Sequence, residues 1–204
     1  MATSGRKALI KMSGAAVSAT GLATTKQADN RTYFITDTTK RVLDPNAAVT
    51  VKVAGVVTAE AYVVDRLTGK IVFNVANAGR GAVTVDVAYL PLTTVGEAKE
   101  YSWIIEADNQ ETTGFQDAWV KRKQALKDTS ASLGRWYVDP VFRNKLEAGE
   151  PVVLEFYVDA ALAPDLKMWA VCSSDEISGS ADGLIEESID FEGTTDKDGR
   201  AVSV

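Results

Sequence analysis

Leu184-Ile185-Glu186-Glu187-Ser188-Ile189-Asp190-Phe191-Glu192 is the stretch on which the fold is decided. In an extended strand successive side chains point to opposite faces, so apolar residues spaced by two define a buried side. Ile185, Ile189 and Phe191 fall on one side here, while Glu186, Ser188, Asp190 and Glu192 fall on the other. The spacing predicts a half-buried strand with an acidic outer face. Asp182-Gly183 precedes it, a dipeptide suited to a tight turn, and Ile177-Ser178-Gly179-Ser180 lies beyond that turn, so the region reads as a hairpin.

The same reading extends outward along the chain. Val83, Val85, Val87 and Tyr89 alternate with Ala82, Thr84, Asp86 and Ala88 until Pro91 ends the run. Ala61 to Asp65 and Ile71 to Asn74 flank Arg66-Leu67-Thr68-Gly69-Lys70, where Gly69 can supply the positive φ of a short hairpin loop. Val49 to Val57, Pro151 to Asp159 and Lys167 to Ser173 are apolar strand candidates. From Glu97 to Asp108, Tyr101, Trp103 and Ile105 share one face and Glu100, Ser102, Glu106 and Asp108 the other, with Ile104 as the exception. Thr129 to Val138 places Ser130, Ser132 and Gly134 opposite Ala131, Leu133 and Tyr137, a small polar surface suited to close approach or to water.

Helix signals are few. Asp139 as N-cap, Pro140 in the first turn, Phe142 and Leu146 inside and Gly149 as the stop predict one short helix. Phe115 to Leu126 spaces Trp119, Lys123 and Leu126 roughly as a helix would, but Lys121-Arg122-Lys123 and Lys127 suit a solvated loop equally. Residues 13–50, rich in Thr, Ala, Asp and Asn, read as an N-terminal arm and long loop. The expectation is a mainly β, sandwich- or barrel-like fold over residues 1–204 as one domain, with one short helix packed on it. Residues 1–30 form the arm of this scheme and residues 194–204 a flexible tail.

Composition removes several function classes. The chain has 204 residues, no histidine and one cysteine. A histidine-based catalytic triad, a Cys–His pair and an imidazole zinc site are thereby excluded. Cys172 alone can form neither an internal disulfide nor a thiolate cluster, and its Val171 and Ser173 neighbours make it a buried small hydrophobe. No tract has the apolar length of a signal peptide or a membrane span, so the mature chain is expected to begin near its first residue and to remain in the compartment where it is made.

Candidate sites are weak one by one. Gly79-Arg80-Gly81 lacks the third glycine and the helix of a phosphate loop and reads as a turn. Asp196-Lys197-Asp198-Gly199 opens like a calcium loop, but no Glu closes it, which leaves an acidic tail. Glu186 and Asp190, four apart on one strand face, stand about 13 Å apart, beyond the usual glycosidase spacings. Lys121-Arg122-Lys123 beside Trp119 is a small basic patch in a chain of net charge −6. Neither a metal nor a cofactor is implied.

Charge is unevenly distributed along the chain. Residues 1–52 hold eight basic and three acidic side chains, whereas residues 150–204 hold three basic and thirteen acidic ones. Opposite ends of this kind can mix within one subunit, or meet on different copies in a head-to-tail contact that generates rings or filaments.

Taken in order, Gly69-Lys70-Ile71-Val72-Phe73, Val83 to Pro91, Glu100-Tyr101-Ser102-Trp103-Ile104-Ile105, Thr113-Gly114-Phe115-Gln116-Asp117 with Trp119, Arg135-Trp136-Tyr137, Val152 to Tyr157 and Ser178 to Gly193 resemble the major tail tube proteins of long, non-contractile-tailed bacteriophages. The similarity spans roughly residues 30–195. It implies a structural virion protein, assembled in the host cytoplasm, whose rings, expected to be hexameric, stack into a tube around a tape-measure protein. Tail terminator and tail tip proteins, further copies of itself and passing DNA would be its partners, with no membrane and no catalysis. In that setting Glu186, Asp190 and Glu192, with Glu100, Glu106 and Asp108, become candidates for the lining of the lumen. Arg31, Lys40, Arg41, Lys121, Arg122 and Lys123 become candidates for contacts between subunits. The rival readings are a monomeric β-sandwich that binds a ligand or mediates adhesion, the tube protein of a contractile tail or secretion system, and, third, an enzyme working without histidine.

Overall fold

The computed structural model describes residues 8–116, 118–181 and 183–203. Residues 1–7 of the expected arm, Asp117 and the Asp182 of the turn dipeptide lie outside the described residues. Two compact units make up the chain: Met1–Val95 with Val152–Trp169 and Thr195–Val204, and Gly96–Pro151 with Ala170–Thr194.

The first unit contains β1 (Leu9–Ser13), β2 (Val17–Lys26), β3 (Thr32–Ile35), β4 (Thr50–Val53), β5 (Val56–Val57), β6 (Tyr62–Asp65), β7 (Lys70–Phe73), β8 (Val83–Tyr89), β9 (Leu92–Thr94) and β12 (Val152–Tyr157). The opening residues of β13 (Leu166–Ser178) and β15 (Val202–Ser203) complete it. Seven strands pair in the order β5-β4-β8-β2-β3-β7-β6. Val83, Val85 and Val87 of β8 are buried, as their alternation requires, and they pack with Tyr33, Ile35, Leu43, Val51, Ile71 and Phe73. Gly69 adopts φ +63° in the β6–β7 turn, and a Cβ there would sit 2.9 Å from the backbone of Arg41. A second cluster of Val42, Leu67, Leu90, Val153 and Trp169 lies beside β12, whose side chains are all buried.

The first unit departs from expectation in two places. Residues 13–50 are not an irregular arm and loop, since β2 and β3 occupy much of them. The β2 side chains are mostly exposed and lean on Thr and Ala, so no hydrophobic alternation marks the strand. The final residues are held rather than loose: buried Asp196 accepts from the backbone N–H groups of Asp198 and Arg200, both at 2.9 Å, and β15 pairs with β13. The Gly79-Arg80-Gly81 turn buries Arg80, which donates to Glu60 at 2.5 Å and to the carbonyls of Val75 and Asn30, and lies 3.9 Å from the Phe73 ring centre. That guanidinium is fully engaged in structure.

The second unit contains β10 (Ala98–Glu111), β11 (Arg122–Trp136), α1 (Val141–Ala148), β14 (Glu186–Gly193) and the remainder of β13. Its four strands are antiparallel, in the order β10-β11-β14-β13. β10 and β11 run longer than their alternation suggested, and no helix forms over the described residues between 115 and 126. α1 forms where predicted. Pro140 is its N-cap, with the Asp139 carboxylate one residue earlier accepting from the Val141 N–H at 3.2 Å, and Gly149 closes it at φ +61°. Phe142 anchors the helix, its ring edge-on to Phe191 at 5.8 Å. Full burial of one such side chain stabilises by about 1.5–3 kcal/mol.

Candidate functional site

The two faces of the four-stranded sheet are chemically opposite. Directly paired residues on neighbouring antiparallel strands point to the same side, so the register assigns each side chain to a face. Leu133, Ile189, Phe191 and Cys172 are buried on the side that receives Phe142. The other side carries Glu100, Ser102, Ile104 and Glu106 from β10, and Asp128, Ser130, Ser132 and Gly134 from β11, with Ile104 its exposed apolar exception. β14 adds Glu186, Ser188, Asp190 and Glu192, and β13 adds Ser174, Glu176 and Ser178. Four strands at about 4.8 Å spacing make this face roughly 19 Å wide.

Five of the six acidic residues singled out in the sequence are thus brought together: Glu100, Glu106, Glu186, Asp190 and Glu192. The sixth, Asp108, is exposed at an irregularity between Ala107 and Asn109. Asp128 and Glu176 share the face and were missed, because their strands were read as starting at Thr129 and ending at Ser173. A longer window of alternation would have captured Asp128, but not Glu176, because the register shift between Cys172 and Ser174 moves it to the outer face against the alternation of the residues before it. Glu106 and Asp128 stand directly opposite each other, a like-charge pair that costs roughly 0.2–1 kcal/mol.

Short-range contacts order this surface without filling it. The Ser102 and Ser132 hydroxyls lie 2.8 Å apart, and Ser174 donates to Asp190 at 2.8 Å. Glu100 folds over Gly134, where an added Cβ would come within 2.7 Å of its side chain. Lys99 pairs with Glu186 at 2.7 Å and lies 4.6 Å from the Trp136 ring centre. Burial pushes the thiol of Cys172, on the opposite side of the sheet, up to about 11, which makes it a packing residue and not a nucleophile.

The six basic candidates fall into two groups. Arg31 is exposed in the first unit. Lys40 is tied to Asp37 at 3.0 Å, and hydrogen bonds from Thr39 and Lys40 hold that carboxyl well below its usual range. Arg41 donates to the Ile35 carbonyl at 2.8 Å and stacks on Phe34. Lys121, Arg122 and Lys123 are all exposed, near the tip of the β10–β11 hairpin. β14 pairs with β11 only between Ser130 and Trp136, so the far part of the hairpin is a two-stranded ribbon. At and beside its tip Phe115, Trp119, Val120 and Leu126 are exposed to solvent. A ribbon of two strands is marginally stable alone in water, and aromatic residues presented this way are characteristic of contact surfaces.

Among the described residues no group of three or more Cys, Asp or Glu side chains is arranged to hold a metal ion, and no helix is long and apolar enough to cross a membrane.

No protein-family model matches the chain and no curated protein matches it. Among solved structures, it is similar to a chain in the tail of an empty gene transfer agent particle with C6 symmetry. Identity is 14% and the TM-score 0.45, over 55% of this chain and 85% of that one. It is also similar to a chain of the native gene transfer agent virion, at 12% identity and a TM-score of 0.47, over 55% of this chain and 89% of that one.

Proposed function

We propose that this protein is a structural subunit of a phage-like tail tube, in which copies join their four-stranded sheets edge to edge and present the acidic face to a central bore. One observation carries the reading: a sheet buried on one side beneath α1 and covered on the other by the seven carboxylates and six serines named above. Such a face is too polar to pack against a core and too sparse in cations to bind phosphate. DNA carries one negative charge per about 1.7 Å of duplex, so a carboxylate wall repels it and lets it slide without a binding site.

The dimensions agree with that role. Six copies would supply 24 strands, which at about 4.8 Å spacing and a tilt near 40° close into a barrel roughly 45–50 Å across between backbones. Side chains reduce this by roughly 10 Å, half the face-to-face spacing of packed sheets on each wall, which leaves room for a DNA duplex. Closure also removes the exposed edge that β10 presents in a lone subunit, a known route to uncontrolled pairing.

In this scheme the β10–β11 ribbon, with Phe115, Trp119 and the Lys121–Lys123 run, reaches an adjacent copy, and Arg31, Lys40 and Arg41 contribute to the basic side of contacts between subunits. A tape-measure protein would occupy the bore before DNA, and terminator and tip proteins would cap the stack. The product is a virion component, and no step in its work requires catalysis. Negative-stain microscopy of the purified protein tests the reading: rings or tubes of uniform bore are expected. Monodisperse monomers at every concentration and salt would overturn it and favour a single-copy binding module.

A further inference from the structure

Directly beneath the acidic face, on the buried side of the same strands, two more carboxylates are set among too few partners. Glu187 of β14 and Asp175 of β13 are diagonal neighbours on that side, with side chains 0% and 1% exposed. Glu187 Oε2 accepts from Arg135 Nε. Glu187 Oε1 and both oxygens of Asp175 are buried with no hydrogen-bond partner among the described groups. Arg135 is already divided, since it also donates to the carbonyl and carboxylate of Asp139, at 2.8 and 3.1 Å. Arg143 of α1, half exposed, approaches Asp175 only to 3.7 Å. Cys172 lies beside the pair, and burial pushes its thiol above the ordinary range. Two carboxylates facing each other away from water cannot both ionise cheaply, and one of them keeps a proton.

We propose that Glu187 is that group, donating its proton to Asp175, so that the seating of α1 on the sheet works as a proton-dependent latch under the acidic face. The geometry makes the connection: Arg135 bonds Glu187, lies 4.5 Å from the Phe142 ring centre and grips Asp139 at the helix entrance, while Arg143 ties the helix itself to Asp175. Burial is the main cause pushing the Glu187 carboxyl above the ordinary range; the Arg135 bond opposes it, and Asp175 pushes it further up. With the folded-state value raised, stabilisation is complete below the ordinary carboxylate range. It is lost as pH rises through the folded-state value. The latch is therefore tight in mild acid and loosens towards alkaline pH.

The consequence for assembly rests on the tube reading above, because Asp175 lies on β13, the outer strand of the four opposite β10, where a neighbouring copy would meet the sheet. Loosening the latch would then lower ring yield as pH rises.

The test is urea unfolding of the full chain between pH 5 and 8 for wild type, Glu187→Gln and the control Asp190→Asn, whose side chain lies on the exposed face of the same strand. The amide introduced by Glu187→Gln would mimic the protonated group, accepting from Arg135 and donating to Asp175. The wild-type folding constant is expected to fall by about tenfold for each unit by which the Glu187 midpoint exceeds the ordinary value. Glu187→Gln should flatten that slope and Asp190→Asn should preserve it. Should Glu187→Gln fail to fold, carboxyl-carbon NMR of wild type reads the same midpoint directly. A Glu187 that titrates in the ordinary carboxylate range, or a Glu187→Gln variant with the wild-type slope, overturns the latch. Absence of rings at all pH values with the predicted slopes intact overturns the tube reading and upholds the latch.

Discussion

If the acidic face is kept for what passes over it, removing its charge should make the isolated subunit more stable. Glu106 and Asp128 are the clearest place to look, because the register sets them directly opposite each other and both are exposed. At a cross-strand separation of about 5 Å in water, two like charges repel by about 0.8 kcal/mol, within the roughly 0.2–1 kcal/mol range for facing pairs on a sheet. The double variant Glu106→Gln with Asp128→Asn removes that term while preserving side-chain size and hydrogen-bonding capacity. With a urea slope of about 2 kcal/mol per molar, the unfolding midpoint should rise by about 0.4 M at low salt. In 1 M salt the Debye length is about 3 Å, and the gain should shrink towards zero. Asp190→Asn is the comparison, since Asp190 faces Ser132 and Ser174 and not another acid; it should show no such salt-sensitive gain. A double variant less stable than wild type, or a gain unchanged by salt, would refute the reasoning, because the face would then be held together by its carboxylates.

Other outcomes follow from the geometry. Phe142→Ala should destabilise the second unit by about 3–5 kcal/mol through loss of the contact with Phe191, read by chemical denaturation. Gly69→Ala forces a Cβ against the Arg41 backbone at positive φ and should cost about 1–3 kcal/mol or more, read as a lowered thermal midpoint. Arg80 holds the Glu60 carboxyl below its usual range, so their bond stabilises above the ordinary carboxylate range and weakens as pH falls through the lowered value. Glu60→Gln and wild type should therefore converge in stability at acid pH and separate at neutral pH. Replacing Lys121, Arg122 and Lys123 by Ser should leave the unfolding midpoint of the subunit nearly unchanged and shorten or abolish tubes in electron micrographs.

Where hydrophobic alternation was strong, the structure was legible in the residues. β8, the β6–β7 hairpin and the two faces of β14 follow directly from period-two spacing, and the Gly149 stop places the end of α1. β2 escaped notice because a strand of Thr, Ala and Ser with mostly exposed side chains has no apolar face to announce it. The acidic surface was only partly visible for a related reason: Asp128 lies on a polar extension of β11 that continues the register without a hydrophobic signal, and Glu176 lies past a register shift in β13 that alternation along the strand does not reveal. Glu187 is the most instructive omission. Following Glu186 in an alternating strand, it had to point inward, and a buried acid requires a partner; Arg135, on the inward phase of β11, was available in the sequence. The shared proton between two diagonal carboxylates depends on register, which spacing along a single strand does not contain.

The central claim is that the serine and carboxylate face of β10, β11, β14 and β13 lines a bore. Helical reconstruction of assembled protein at side-chain resolution tests it most directly. The account predicts Ser132, Asp190 and Glu192 facing the axis, with α1 on the outer side of the sheet. A reconstruction with that face on the outside of the tube, or sealed between copies, would contradict it.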